Sequence, residues 1–392
     1  MGKRTLFLLW AFALVTAACT RGAAPPGTTA AQEPATTLAA PTTAAAPTET
    51  TETTEAGAQP AGETLAAVQD RGELRCGVNE AVPGFGFLNP EGQFEGFDID
   101  FCKAVAAAVL GDPEAVTYVS LTAEQRFTAL QAGEIDVLIR NTTWTATRDG
   151  TEGATFLTTT FYDGQGMMVR SESEFETLED MADTTICVLS GTTTELNLNT
   201  RFQAGGIPFT PLTFEENATL QEAFVAQRCD GWTSDKSQLA GVRSAFPDEE
   251  GGPEALRILE ETFSKEPLGP VVRDGDSEWA QVIDWVVLAI IQAEEFGITS
   301  ANVDQMASDP EGPNQAAFLG VAFQPEEGEE VAPFEAGLGF GSTTWIQDVI
   351  RAVGNYGEIY ERHVGPDTPL GLERGVNALW TEGGLHYPPP YR

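Results

Sequence analysis

Histidine is almost missing from this chain. Two occur in 392 residues, His363 and His386, both close to the end. The imidazole most often used as general acid or base, or as a zinc ligand, is therefore absent from the bulk of the sequence. Cys/His zinc spacing is absent as well, so no metal and no cofactor is expected. Basic residues are scarce too. The 21 Lys and Arg stand against 59 Asp and Glu, a formal net charge of -38, which repels phosphate backbones and anionic headgroups and excludes nucleic acid as a partner. Beyond the N-terminus no apolar run is long enough to cross a bilayer; the best candidate, residues 285–291, reads as one buried helix face. The acidic pair Asp98 and Asp100 in "DID" points in different directions and reads as structural or capping rather than as a metal site.

What the N-terminus does have is the order of an export signal. Lys3 and Arg4 precede an apolar run over residues 6–15, and Thr16, Ala17 and Ala18 lead into Cys19. That run is too short for a transmembrane helix. A cysteine in this place resembles a bacterial lipobox, with residues 1–18 removed and Cys19 carrying lipid, although Thr16 stands where leucine is more usual. Residues 19–63 then collapse into Ala, Thr, Pro, Gly and Glu. Such a segment cannot bury enough apolar surface to offset its ordering entropy, so it is expected to be a disordered tether. Four further cysteines, Cys76, Cys102, Cys187 and Cys229, form an even set in an exported chain and read as two disulfides. Three pairings are possible, and the spacing alone does not choose.

A chain of this length has room for two domain-sized cores. From Leu65 strand-like and helix-like pieces alternate: "ELRCGV", "DIDFCKAVAAAVLG", "VTYVSL", "TAEQRFTALQAGE", "IDVLI". The same rhythm restarts at "TTICVLSG" and runs through "TTTELNLNTRFQAGG", "FTPLTF", "NATLQEAFVAQ" and "CDGWTSD". Two βαβ-type units of this kind predict two α/β lobes, each with a mixed, mostly parallel sheet.

In open α/β sheets ligands sit beyond the carboxyl ends of the strands. Three polar stretches fall there: "RNTTWTATRD", "GTTTELN" and "SDKSQ". Gly191 permits a tight turn, Thr192 is a helix N-cap, and Glu195 three residues on completes a capping box. The free N–H groups at that helix start, with the hydroxyls of Thr192 and Thr193, form an anion site. Arg148 offers a planar guanidinium to a carboxylate, and Asp235 offers a carboxylate to an ammonium. A carboxylate and an ammonium on one small molecule describe an α-amino acid.

The blocks "LRCGVNEAVPGFGF", "QRFTALQAGEIDVLIRNTTWTATRD", "CVLSGTTTELNL", "RCDGWTSDKSQL" and "VGNYGEIYERHVG" resemble, in this order, the polar amino-acid-binding proteins of ABC importers, of the general L-amino-acid type. The resemblance runs from about Leu65 to Arg392. It implies a periplasmic-binding-protein-like, Venus-flytrap fold with two hinge crossings, near Asp163 to Gly166 and Phe263 to Pro267. Residues 64–164 and 266–392 would build lobe 1, the latter with a C-terminal extension, and residues 165–265 lobe 2.

The resemblance places the ligand's α-carboxylate on Asn141, Thr143 and Arg148, with Thr192 and Thr193 opposite and Asp235 on the ammonium. Phe85, or failing it Phe87, would cover the ligand side chain. Placing the lobes this way favours Cys76–Cys102 and Cys187–Cys229, one bridge in each. The implied protein is a monomeric, extracytoplasmic, lipid-anchored binding protein that captures L-amino acids of broad range and hands them to an ABC permease. A lipid-anchored sensor, or an enzyme on the same fold, is the alternative, and the scarcity of histidine counts against the enzyme.

Overall fold

The computed structural model describes residues 63–333 and 337–391. The export signal, Cys19 and the tether up to residue 62 lie outside the described residues. In chain order, α1 (Thr64–Arg71) leads into β1 (Leu74–Val78) and a hairpin sheet of β2 (Ala81–Val82), β3 (Gly86–Leu88) and β4 (Phe94–Glu95). Then come α2 (Phe97–Leu110), β5 (Val116–Ser120), α3 (Gln125–Ala132), β6 (Val137–Leu138), α4 (Ala146–Thr151) and β7 (Ala154–Phe156). β8 (Phe161–Asp163) carries the chain across to β9 (Gln165–Arg170), β10 (Thr184–Leu189), α5 (Thr193–Gly205), β11 (Phe209–Phe214), α6 (Asn217–Val225), β12 (Gly231–Asp235), α7 (Lys236–Ser244) and β13 (Leu256–Ile258). β14 (Glu266–Leu268) returns it to β15 (Val271–Arg273) and α8 (Ser277–Glu295). Four more helices follow, α9 (Val303–Ser308), α10 (Pro313–Leu319), α11 (Trp345–Val353) and α12 (Tyr356–His363).

The strands form two five-stranded sheets, ordered β5-β1-β6-β15-β7 and β11-β10-β12-β9-β13. Each is mixed, with two parallel and two antiparallel pairings. The parallel pairings belong to the βαβ segments legible in the sequence. The antiparallel ones come from strands that flank the crossings: β7, β13 and β15, of three residues each, are too brief to show a period of two, and β9, of six, is buried along nearly its whole length and shows no alternation. The crossing strands β8 and β14 pair with each other, Asp163 opposite Glu266, so the two lobes are joined by a two-stranded ribbon.

Local rules account for the main helices. α2 is apolar around most of its circumference and is correspondingly buried, packed against β1, α8 and α11. It stops at Gly111, whose φ of 71° is the left-handed conformation that satisfies the last carbonyls. α8 buries Trp279, Val282, Ile283, Val286, Val287 and Ile290 in the same core. Cys76 is joined to Cys102 (Cα–Cα 6.2 Å) and Cys187 to Cys229 (5.6 Å). The first ties β1 to α2 and the second ties β10 to the turn before its neighbour β12, each within its own lobe. With 26 and 42 residues between partners, loop-closure entropy makes each worth about 3 to 4 kcal/mol.

Phe85 is a correction to the sequence reading. It is fully buried in the first lobe's core, edge-on to Phe161 at 5.1 Å and 5.7 Å from Phe97. The glycine-containing loop folds inward because Gly96, at φ 131°, brings its backbone so close to the Phe85 carbonyl that a Cβ there would lie 2.1 Å from it. Phe87 is half-buried on β3.

The C-terminal residues, which have no chemistry of their own in the sequence, pack behind the ribbon. The Tyr356 hydroxyl donates to Thr160 O at 2.9 Å, the Tyr360 ring stacks on Phe161, and the His386 ring lies 5.4 Å from that of Tyr162.

Candidate functional site

The carboxyl ends of β6, β10 and β12 converge on one cleft between the lobes. Asn79, Arg126, Arg140, Asn141, Thr143 and Arg148 line it from the first lobe. Thr192, Thr193, Thr194, Ser234, Asp235 and Gln238 line it from the second. Six of the seven ligand residues expected from sequence therefore meet here, and Phe85 does not. Arg126, Arg140 and Gln238 are additions that the sequence did not single out.

Arg148 sits on α4, whose N-cap Thr145 accepts a hydrogen bond from the Arg148 N–H at 3.1 Å. Its Nη1 donates to Thr143 O at 3.0 Å and its Nη2 reaches across to Gly191 O at 3.4 Å. The guanidinium also lies over the Phe127 ring, 5.6 Å from its centroid. Arg126 reaches the same Gly191 carbonyl at 3.4 Å, and its Nε is buried without a partner. Burial lowers the pKa of both, and the repulsion of Arg148 and Arg140 adds to the lowering at Arg126. Three buried guanidiniums on one wall are costly unless an anion meets them.

Asp235 ends β12 and opens α7. Its Oδ1 is buried with no partner. Burial, with the charges of Asp163 and Glu266 added, holds its carboxyl well above the usual range. Asp163 is pushed up to about 6 by burial although Gly164 N and Ser237 N donate to it at 2.7 and 3.1 Å. Glu266 accepts from Thr193 Oγ1 and Asn197 Nδ2, both at 2.8 Å, and from Ser264 Oγ. The hinge ribbon and the second lobe thus bring three carboxyls together, of which Asp235 opens into the cleft opposite the arginines.

The α5 start differs in detail from the expected capping box. Thr192 Oγ1 does accept from Glu195 N at 3.0 Å, but the Glu195 carboxylate takes the Gly191 N–H at 3.1 Å rather than that of Thr192. The box is shifted because Gly191, at φ 68°, turns its N–H back over the helix. The Thr192 hydroxyl donates to Leu189 O at 2.6 Å, so it serves the cap. Thr193 is the hydroxyl that faces the first lobe, 3.3 Å from Thr143 Oγ1.

The lobes are closed on one another and leave about 20 Å³ between these walls. Asn141 Nδ2 donates to Gln238 Oε1 at 3.3 Å, Asn79 Nδ2 to Asn141 Oδ1 at 3.3 Å, and Gln238 Nε2 to Asn217 Oδ1 at 3.0 Å. A chain of amides therefore runs from one lobe to the other. Asn141 holds its place at φ 35°, one of three non-glycine residues at positive φ among the described residues and a mark of strain kept at a working position.

An interlobe cleft with cations on one wall and an open carboxyl on the other is built to hold a small dipolar molecule. The model of the bacterial extracellular solute-binding proteins, family 3, matches residues 74–300. The chain belongs to this family. It is a solute-binding protein, not an enzyme. It is 46% identical over 329 residues, 84% of this chain and 93% of the relative, to the general L-amino acid-binding periplasmic protein AapJ of Rhizobium johnstonii. It is 44% identical over 86% of its length, and 95% of the relative, to the glutamate/glutamine/aspartate/asparagine-binding protein BztA of Rhodobacter capsulatus. Among solved structures, a periplasmic binding protein of an ABC transporter from Brucella ovis with glutathione bound superposes with a TM-score of 0.78 at 43% identity, covering 84% of this chain and 99% of that one. No described helix of this family 3 protein is long and apolar enough to cross a membrane.

Proposed function

We propose that this protein captures L-amino acids of broad range outside the cytoplasmic membrane and delivers them, as a monomer held by lipid on Cys19, to the permease of an ABC importer. The observation that carries the reading is the pairing of unsatisfied charges across the cleft. Arg148 and Arg126 project from one wall, and the unpartnered Oδ1 of Asp235 from the other. An α-amino acid satisfies both at once. Its carboxylate takes Arg148, Asn141, Thr143 and the amides at the start of α5 around Thr192 and Thr193, and its ammonium takes Asp235. The high identity to binding proteins named for general L-amino acids and for acidic amino acids and their amides supports the same ligand class. Residues 64–164 and 266–392 act as one lobe and residues 165–265 as the other, parting at the β8–β14 ribbon to admit the ligand.

Titration calorimetry with a panel of L-amino acids tests this. One site per chain is expected, and Arg148→Ala or Asp235→Ala is expected to weaken binding by about 3 to 5 kcal/mol, roughly 100-fold or more, because each leaves a buried ligand charge unpaired. Absence of binding across the whole panel would overturn the reading. Lipid on Cys19 is tested by detergent phase partitioning before and after Cys19→Ala, which should release the protein into the aqueous phase.

A further inference from the structure

Asp235 stands where an aspartate ordinarily serves its own helix. It is the N-cap of α7, the position from which a short side-chain oxygen turns back to accept an N–H of the first turn. Asp276 does this on α8, accepting from Trp279 N at 3.1 Å, and Thr145, Thr192 and Asn355 do it on α4, α5 and α12. Asp235 makes no such bond. Its backbone leaves the strand with the non-helical ψ of a cap, 138°, yet its carboxyl caps nothing and the buried Oδ1 has no partner among the described residues.

The first turn of α7 is satisfied from outside the helix. The Lys236 N–H donates to Gly164 O at 2.9 Å and the Ser237 N–H to Asp163 Oδ2 at 3.1 Å. Both acceptors belong to the crossing between the lobes, at the end of β8, where the other Asp163 oxygen accepts from Gly164 N at 2.7 Å. β9 continues from this crossing beside β12, with Gln165 directly opposite Asp235, so the sheet fixes the crossing against the start of α7. Asp163 therefore does for α7 what Asp235 would otherwise do.

One cap is enough, and which carboxylate supplies it decides where the other points. Ser237 is buried, and a buried N–H left without an acceptor is costly. Without Asp163, the Asp235 carboxylate, two residues earlier and already in the capping position, can replace it by a turn about its side-chain bonds alone. The positive end of the helix dipole favours that turn. The charge is then committed to the helix and withdrawn from the cleft.

We propose that Asp163 is a positioning residue for ligand recognition: by capping α7 in place of Asp235, it leaves the Asp235 carboxylate free for the ligand's ammonium. The inference rests on the amino-acid reading of the cleft, and it puts a determinant of binding on the hinge, outside the residues that line the cleft. Titration calorimetry with L-glutamate and L-alanine, and urea unfolding without ligand, both on the mature full chain, test it. Asp163→Ala should weaken binding at least tenfold, whereas Asp163→Asn, which loses the charge but keeps an oxygen for the Ser237 N–H, should stay within threefold of wild type. Both variants are uncharged, so comparing their urea midpoints isolates the cap. Asp163→Ala should unfold only slightly below Asp163→Asn while Asp235 is there to take over, and the gap should at least double in an Asp235→Ala background. Unchanged affinity in Asp163→Ala, equal weakening by Ala and Asn, or the same gap in both backgrounds would overturn the positioning role and leave the amino-acid reading standing. Failure of the wild type to bind either amino acid would overturn that reading and the ligand role of Asp163 with it.

Discussion

The side-chain amide of Asn377 closes both backbone hydrogen bonds of Tyr162: its Nδ2 donates to Tyr162 O at 3.0 Å and its Oδ1 accepts from Tyr162 N at 2.7 Å. Tyr162 lies on the crossing strand β8, and Thr160 and Phe161 just before it are held by Tyr356 and Tyr360. Arg374 ties this brace to the core, donating to Asn377 O at 3.1 Å and forming an ion pair with Glu294 at 2.8 Å. The C-terminal residues therefore fix the first-lobe end of the hinge.

Asn377→Leu strands a buried N–H and a buried C=O, and it is expected to destabilise the protein by about 2 to 4 kcal/mol. Asn377→Asp keeps the acceptor but sets a buried carboxylate oxygen against the Tyr162 carbonyl, so at neutral pH it should cost at least as much. Urea unfolding of the two variants against wild type checks both the size and the order.

Gly241 lies inside α7, where a Cβ would stand 2.4 Å from the Pro83 carbonyl of the opposite lobe. Gly241→Ala should raise helix stability by up to about 1 kcal/mol while opposing closure. The expected result is a protein with unchanged or higher melting temperature and weaker ligand binding. Tighter binding in this variant would contradict the closed contact.

Asp98 is buried, and burial pushes its carboxyl from 3.8 up to about 6 against the opposing pull of the Asn141 N–H and Arg140. The folded protein thus holds this proton more tightly than the unfolded chain does. The contribution is present below pH 4 and is lost as pH rises to about 6, a change of about 3 kcal/mol. Relative to Asp98→Asn, which keeps an oxygen for the Asn141 N–H, the wild type should lose that much unfolding free energy between pH 4 and pH 7.

Asp235 is held well above the usual carboxylate range by burial and by Asp163 and Glu266. A ligand ammonium favours its ionised form, so binding releases a proton wherever the free protein still holds it. Affinity should rise with pH across that interval, and calorimetry in buffers of different ionisation enthalpy should register the released proton. In Asp235→Asn both effects should vanish along with most of the affinity.

Much of this architecture was legible because the βαβ rhythm places residues such as Thr193, Arg148 and Asp235 directly after strands or at helix starts, where a binding role has a local signature. Arg126 had none. It falls within the sequence of an amphipathic helix, where an arginine reads as a solvated face, whereas in the structure it is buried and reaches the Gly191 carbonyl of the second lobe. Gln238 becomes a site residue through its interlobe contact with Asn141, and Arg140 by lining the cleft between the lobes, which no local spacing encodes. Phe85 misled because aromatic residues in a glycine-containing loop look the same whether the loop covers a ligand or folds into the core. The brace around Asn377 was invisible for a different reason: its backbone is mostly irregular, with short 3-10 turns and no period to read.

The amide chain from Asn79 through Asn141 and Gln238 to Asn217 joins the lobes directly, without an atom of ligand in it. Whatever free energy those bonds supply is available to the unloaded molecule as well, so some fraction of unloaded molecules adopts the closed shape, set by the balance between these bonds and the buried charges that closure leaves facing one another. A transporter that recognises the closed shape would then register a background signal in the absence of substrate. Asn141 and Gln238 would be where that idle rate is tuned, independently of how tightly any amino acid is held.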